Sequence, residues 1–94
     1  MAYHVAVSGV MAARIRRLQR QAKRQGRGEA FLASIQEVYQ QLRDDPADLG
    51  EPNYRLSRLG LEIRTCVVPP LAVDFAVHLD KPIVFLKGVR LLSE

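Results

Sequence analysis

Ionisable side chains recur at even spacing in the last third of this 94-residue chain, at Glu62, Arg64, Asp74 and His78. Residues two apart on a β-strand share a face of the sheet, so this spacing predicts a charged face opposite an apolar one. Arginines that converge on such a face could hold a phosphodiester and neutralise charge in a cleavage transition state. A histidine there could act as acid or base, because its side chain titrates near neutral pH.

Two further basic residues, Lys87 and Arg90, lie near the end of the last predicted strand. They are an odd number of residues apart, so a regular strand points them to opposite faces, whereas a bulge at Gly88 would change this. The candidate catalytic residues are Arg64, His78 and Arg90. In the alternative interpretation the histidine is simply exposed beside a turn, and the other charged residues form cross-strand ion pairs.

Other catalytic motifs are missing from the sequence, which has no glycine-rich phosphate loop and no nucleophile elbow. Two histidines and a single cysteine, Cys66, exclude a cysteine-rich metal site, so we expect no metal ion and no cofactor. Cys66 is predicted to pack as a small residue in a strand, and a chain without disulfides fits the reducing cytoplasm. We expect no membrane association, because no apolar run approaches the roughly 20 residues of a membrane span and the N-terminus lacks a signal-peptide pattern.

Charge is distributed unevenly along the chain. Residues 1–28 contain seven basic residues and no acidic one, whereas residues 29–94 contain seven basic and ten acidic residues. A basic segment of this kind favours a polyanionic partner or an acidic protein partner, although a solvated helix face is the simpler alternative. The residues predicted to bind nucleic acid or a partner are Arg14, Arg17, Arg20, Arg24, Arg58 and Lys87.

Periodicity predicts a single domain over residues 1–94 with the order β-α-α-β-β-β. A short strand over 3–7 precedes Ser8, which is a suitable helix N-cap. Two amphipathic helices follow, from residue 9 or 10 to about 25 and from about 29 to 43. Their apolar stripes have equal spacing, which indicates an antiparallel helical hairpin. The stripe residues are Met11, Ile15, Leu18 and Ala22 in the first helix and Phe31, Ile35, Val38 and Leu42 in the second.

Three strands are predicted after residue 60, and Tyr54–Leu59 begins either another strand or an irregular edge segment. Leu61, Ile63 and Val67 are assigned to the core face of the first of these strands. The core face of the second consists of Leu71, Val73, Phe75 and Val77. The predicted fold class is therefore α+β, with an antiparallel sheet packed on one face by the helical hairpin.

The chain resembles the RelE/ParE toxin superfamily of bacterial type II toxin–antitoxin systems over nearly its whole length. The similarity rests on YHVAVS followed by a helix, DDP after the second helix, GLEIR entering the sheet, and VFLKGVR in the last strand. The resemblance implies the predicted fold and a toxin-like function. It also implies a cognate antitoxin, with an acidic or amphipathic segment, as partner.

RelE-like members cleave messenger RNA on the ribosome through basic residues on the sheet, whereas ParE-like members inhibit DNA gyrase and lack that set. Arg64 matches a basic position of the ribonuclease members, and Arg90 approximately matches the arginine after their last strand. Glu62 and Leu71-Ala72 replace basic residues of those members. The chain is accordingly predicted to be either a metal-independent endoribonuclease or a non-catalytic toxin that binds an essential protein. The alternative from another class is a non-toxic module that binds nucleic acid or protein through its basic first helix.

Overall fold

The computed structural model describes residues 2–93, which form two helices and one five-stranded sheet. The elements are β1 (His4–Ala6), α1 (Gly9–Arg24), α2 (Gly28–Asp44), β2 (Glu51–Leu56), β3 (Leu61–Val68), β4 (Leu71–His78) and β5 (Ile83–Leu91). Short 3₁₀ turns at Pro46–Asp48 and Ser57–Leu59 flank β2.

The sheet has the strand order β1-β5-β4-β3-β2, and the two helices pack on one of its faces. The predicted α+β fold is confirmed, with two differences. Residues 51–56 form a complete edge strand, and β1 pairs with β5 in parallel, so the sheet is mixed and not wholly antiparallel. Hydrophobic periodicity predicts that a segment is a strand but does not specify its partner, which explains the second difference.

Local signals place the helix boundaries close to their predicted positions. The Ser8 hydroxyl accepts a hydrogen bond from the Met11 amide at 3.1 Å and caps α1, as predicted. Gly26 adopts a left-handed conformation (φ 73°) directly after the helix, where glycine avoids the strain that a side chain would cause. Pro46 follows the end of α2, because proline cannot continue a helix.

The core lies between the helical hairpin and one face of the sheet. The predicted stripe residues of both helices contact this core, as do the predicted core residues of β4. Phe31 and Leu42 of α2 and Phe75 of β4 are among its largest fully buried side chains. Equal apolar stripes on the two helices thus predicted the packing correctly.

The predicted orientation of β3 is wrong. A two-residue turn joins β3 to β4, so Val68 pairs with Leu71 and Cys66 pairs with Val73. Directly paired residues lie on the same face of a sheet, so Arg64 and Cys66 face the helices. Leu61, Ile63, Thr65 and Val67 consequently face the other side, which the helices do not cover and which we call the open face.

Candidate functional site

The Arg64 side chain is buried on the helix-facing side of the sheet and forms three internal interactions. Its Nε donates to the Leu49 carbonyl at 2.8 Å and its Nη2 donates to the Gly50 carbonyl at 3.1 Å. Its Nη1 lies 2.6 Å from the Glu62 carboxylate. All three nitrogens of the guanidinium are therefore directed at protein groups, and Nε and Nη2 hold the segment that leads into β2.

The carboxylate of Glu62 connects Arg64 with a second arginine on the edge strand. Arg55 Nε lies 3.0 Å from Glu62 Oε2, and the Arg55 side chain is largely exposed. Hydrogen bonds from Arg64 and then from Arg55 lower the pKa of Glu62 below its ordinary value of 4.5. Of the predicted cross-strand ion pairs, one involving Glu62 forms, but with Arg55 of β2 and on the helix-facing side; Glu62 and Arg64 pair within β3.

His78 ends β4, and its ring accepts hydrogen bonds from the turn that follows. Its Nδ1 accepts from the Asp80 and Lys81 amides, each at 3.0 Å. These two backbone hydrogen bonds occupy Nδ1, one of the two ring nitrogens. His78 therefore stabilises the β4–β5 turn through Nδ1, and it lies on the open face, as predicted.

Lys87 and Arg90 are exposed on the open face of β5. Asp74 pairs with Gly88 while Phe75 pairs with Leu86, so Lys87 is the extra residue of a bulge at the place where the sequence allowed one. Arg90 pairs with Ala72, which lies six residues before His78 on β4. Arg90 and His78 are therefore about 20 Å apart at 3.3 Å per residue.

The three predicted catalytic residues are thus not brought together. Arg64 faces the helices, Arg90 lies on the open face near the β3–β4 turn, and His78 lies at the other end of the same strand. Arg58 is exposed in the 3₁₀ turn before β3 and lies at the same end as His78, because Leu61 pairs with His78.

The open face is mostly apolar, which sequence inspection missed. One row of apolar residues crosses all five strands in the order Tyr54, Ile63, Ala76, Phe85 and Ala6. Tyr54 is 57% exposed at the outer end of this row. The alternation of Tyr54 and Leu56 around Arg55 is the sequence signal that could have revealed this row.

A shallow pocket of about 550 Å³ lies on the open face where the apolar row meets the start of α1. Phe85 and Ala76 contribute to its lining, Lys87 lies at its side, and Ser8 and Met11 contribute from the β1–α1 connection. Pockets of this volume and apolar character are typical of ligand or partner contacts.

A polar network interrupts the open face beside this apolar row. Asn53 Nδ2 donates to Thr65 Oγ1, and this hydroxyl donates to Asp74 Oδ1, both at 2.7 Å.

The Cys66 thiol lies on the other side of β3, and burial raises its pKa to about 11, with a smaller contribution from the negative charge of Asp74. Cys66 is therefore a buried thiol at neutral pH, as its predicted role in strand packing implies.

The helix α1 carries the most concentrated charge of the molecule. Four predicted binding residues and two neighbours line a groove of about 490 Å³ along this helix: Arg14, Arg17, Leu18, Arg20, Gln21 and Arg24. Within residues 2–93, both ion pairs involve Glu62 and neither involves α1. The structure thus places these four arginines on one continuous surface, which we call the arginine groove.

Neither a metal cluster nor a membrane-spanning helix is found within residues 2–93. No three His, Cys, Asp or Glu side chains there lie close enough to hold a metal ion. Neither helix of this part is long and apolar enough to cross a bilayer.

Comparisons with protein-family models, with curated proteins and with solved structures find no match to this chain.

Proposed function

We propose that this protein is a RelE/ParE-like, toxin-type protein that acts by binding an essential protein, such as DNA gyrase, and not by cleaving RNA. The observation that carries the proposal is the group of exposed apolar side chains on the open face, namely Tyr54, Leu56 and Val67, around a row whose central residues Ile63 and Ala76 are buried. Exposed apolar side chains grouped on one face are typical of a protein–protein contact. In this proposal the open face contacts the target protein in the cytoplasm, and a cognate antitoxin neutralises the toxin.

The positions of the ribonuclease candidates support binding over cleavage. Cleavage by general acid–base catalysis requires the phosphate-holding groups and the acid or base within hydrogen-bond reach of one substrate. Arg64 is instead bound to Leu49, Gly50 and Glu62 on the helix-facing side of the sheet. Arg90 alone among the three is both exposed and on the open face.

Induced expression in a bacterial host tests the proposal. We expect growth arrest with intact messenger RNA, and the same arrest for Arg90→Ala. The double variant Tyr54→Thr, Val67→Thr should relieve the arrest, because it removes two exposed apolar side chains while threonine keeps a high strand propensity.

The matched control is the double variant Val10→Thr, Leu32→Gln, which removes exposed apolar side chains from the helices instead. It should remain toxic. Cut transcripts that disappear in Arg90→Ala would support the ribonuclease alternative and contradict the proposal. Normal growth on expression of the unchanged chain would also contradict it.

A further inference from the structure

Most of the positive charge on α1 does not stabilise the helix itself, since only Lys23 and Arg24 lie in the last turn, where the helix dipole favours cations. The helix contains Arg14, Arg16, Arg17, Arg20, Lys23 and Arg24 and no acidic residue in its first turn. Like charges three or four residues apart on a helix repel each other, and Arg20 lies at these spacings from four of the others. A cation row that opposes its own helix is explained by a polyanionic partner that offsets the repulsion.

Most of these cations have no partner within residues 2–93. Both ion pairs of this part of the chain involve the Glu62 carboxylate. Arg17, Arg20 and Arg24 are exposed, and their side chains make no hydrogen bond to the described residues. Their guanidinium donors are therefore available to an external acceptor.

Two flanking arginines fix the orientation of the arginine side chains on α1. Arg14 Nε donates to the Val89 carbonyl at 3.0 Å, and Arg27 Nη1 donates to the Leu92 carbonyl at 2.6 Å. Since β1 pairs with β5 only as far as Phe85, the Arg14 bond ties α1 to the part of the β5 edge that β1 leaves unpaired. Arg27 lies just after α1 and binds the residue that follows β5. The arginines between the two anchors thus project from a helix held firmly against the sheet.

The chemistry of the groove favours phosphate over an acidic protein segment. Arginine donates two parallel hydrogen bonds to a carboxylate or a phosphate alike, so the other residues that line the groove decide between the two. Protein contacts of high affinity need buried apolar anchors. Leu18 is the one apolar residue that lines the groove, and it is already packed against the core. No aromatic residue lines it either, so bases of a single strand would find no side chain on which to stack.

We propose that α1 binds the phosphate backbone of double-stranded nucleic acid through Arg17, Arg20 and Arg24. These residues span about 10 Å along the helix at 1.5 Å per residue, which matches about three phosphate spacings of one strand at 3.4 Å along the duplex axis. This surface is separate from the open face, so the inference does not depend on the proposed toxin function.

Fluorescence anisotropy with a labelled duplex tests the inference. Three phosphate contacts predict an affinity that falls about 40-fold between about 50 and 200 mM salt. The triple variant Arg17→Gln, Arg20→Gln, Arg24→Gln should lose most of this affinity and of its salt dependence. Glutamine has nearly the helix propensity of arginine, and circular dichroism verifies that the variant folds.

The matched control is Arg43→Gln, Arg55→Gln, Lys81→Gln, which removes three exposed charges outside α1. It should bind nearly as the unchanged protein does. An equal loss of affinity in both triple variants would overturn the assignment to α1. A salt-independent affinity of the unchanged protein would overturn the phosphate contacts, even if the α1 variant fails to fold.

Five probes distinguish the ligand classes: an RNA duplex, a DNA duplex, a single strand of each, and a glutamate-rich peptide. Binding of one or both duplexes supports the inference and shows which nucleic acid is preferred. Tighter binding of the single strand contradicts the duplex assignment. Binding of the peptide without the duplexes assigns the groove to an acidic protein segment and overturns the inference.

Discussion

The Arg64 side chain holds the segment before β2, and its substitution measures that role. Arg64→Met leaves the Leu49 and Gly50 carbonyls without their donor and removes one partner of Glu62. We expect the free energy of unfolding to fall by about 3 kcal/mol, as when one member of a buried ion pair is removed. Urea denaturation followed by circular dichroism provides the measurement.

Arg55→Met is the control for this substitution, because Arg55 binds the same carboxylate with a side chain that is 64% exposed. We expect a change within about 1 kcal/mol, as for a surface ion pair. A similarly small effect for Arg64→Met would contradict the structural role and leave Arg64 available for a ligand.

The Glu62 carboxylate makes stability depend on pH in the acid range. Its pKa lies below the ordinary value of 4.5, because Arg64 and then Arg55 stabilise the charged form. A carboxyl whose pKa is lower when folded contributes stability above its unfolded pKa and loses it as pH falls through the folded pKa.

Glu62→Gln should therefore flatten the decrease in stability below a pH of about 4.5. Midpoints of urea denaturation over a series of acidic pH values provide the measurement. An unchanged acid profile would show that Glu62 is not coupled to the two arginines in the folded protein.

At the scale of elements, the start of β2 requires glycine at position 50. Gly50 has a φ of 66°, and a Cβ there would lie 2.1 Å from the Thr65 carbonyl oxygen. The approach is this close because Arg64 binds the Gly50 carbonyl from within the same strand that contributes Thr65.

Gly50→Ala should lower the free energy of unfolding by at least about 3 kcal/mol, since backbone strain and a clash with main-chain atoms add. The melting temperature should fall by more than roughly 10 °C for a domain of this size. Gly9→Ala is the control, because Gly9 begins α1 with nothing within 4 Å of a new Cβ. Equal melting temperatures of the two variants would contradict this local structure.

The β3 strand shows why part of the candidate site was predicted wrongly. Apolar residues occupy both of its faces, at Leu61, Ile63 and Val67 on one side and at Cys66 and Val68 on the other. Alternation alone therefore does not identify its core face. The length of the Pro69-Pro70 turn does, because it pairs the residues on either side of it, and β4 has an unambiguous pattern. Considered together, the two strands predict that Arg64 faces the helices.

At the scale of the molecule, the sequence predicts the elements better than it predicts their partners. The stripes of both helices, the Ser8 cap and the core face of β4 are local patterns, and the structure confirms all of them. The parallel pairing of β1 with β5 brings together segments from opposite ends of the chain, and no local pattern encodes it.

The two candidate surfaces differ in how far the sequence predicts them, again because local patterns do not specify which strands pair. The arginine groove lies on one helix, so helical spacing alone predicts it. The apolar row of the open face takes one residue from each of five strands and becomes visible only when the strand order is known. Sequence reasoning consequently identified the basic surface and missed the apolar one.

Mapping of messenger RNA 5′ ends in a translating bacterial extract tests the central claim most directly, namely that the protein acts by binding and not by cleavage. Purified protein is added to the extract at increasing concentration, and Arg90→Ala is added in parallel. Because Arg64, His78 and Arg90 lie apart, we predict no new transcript ends with either protein. New ends that appear with the unchanged protein and disappear with Arg90→Ala would contradict the claim.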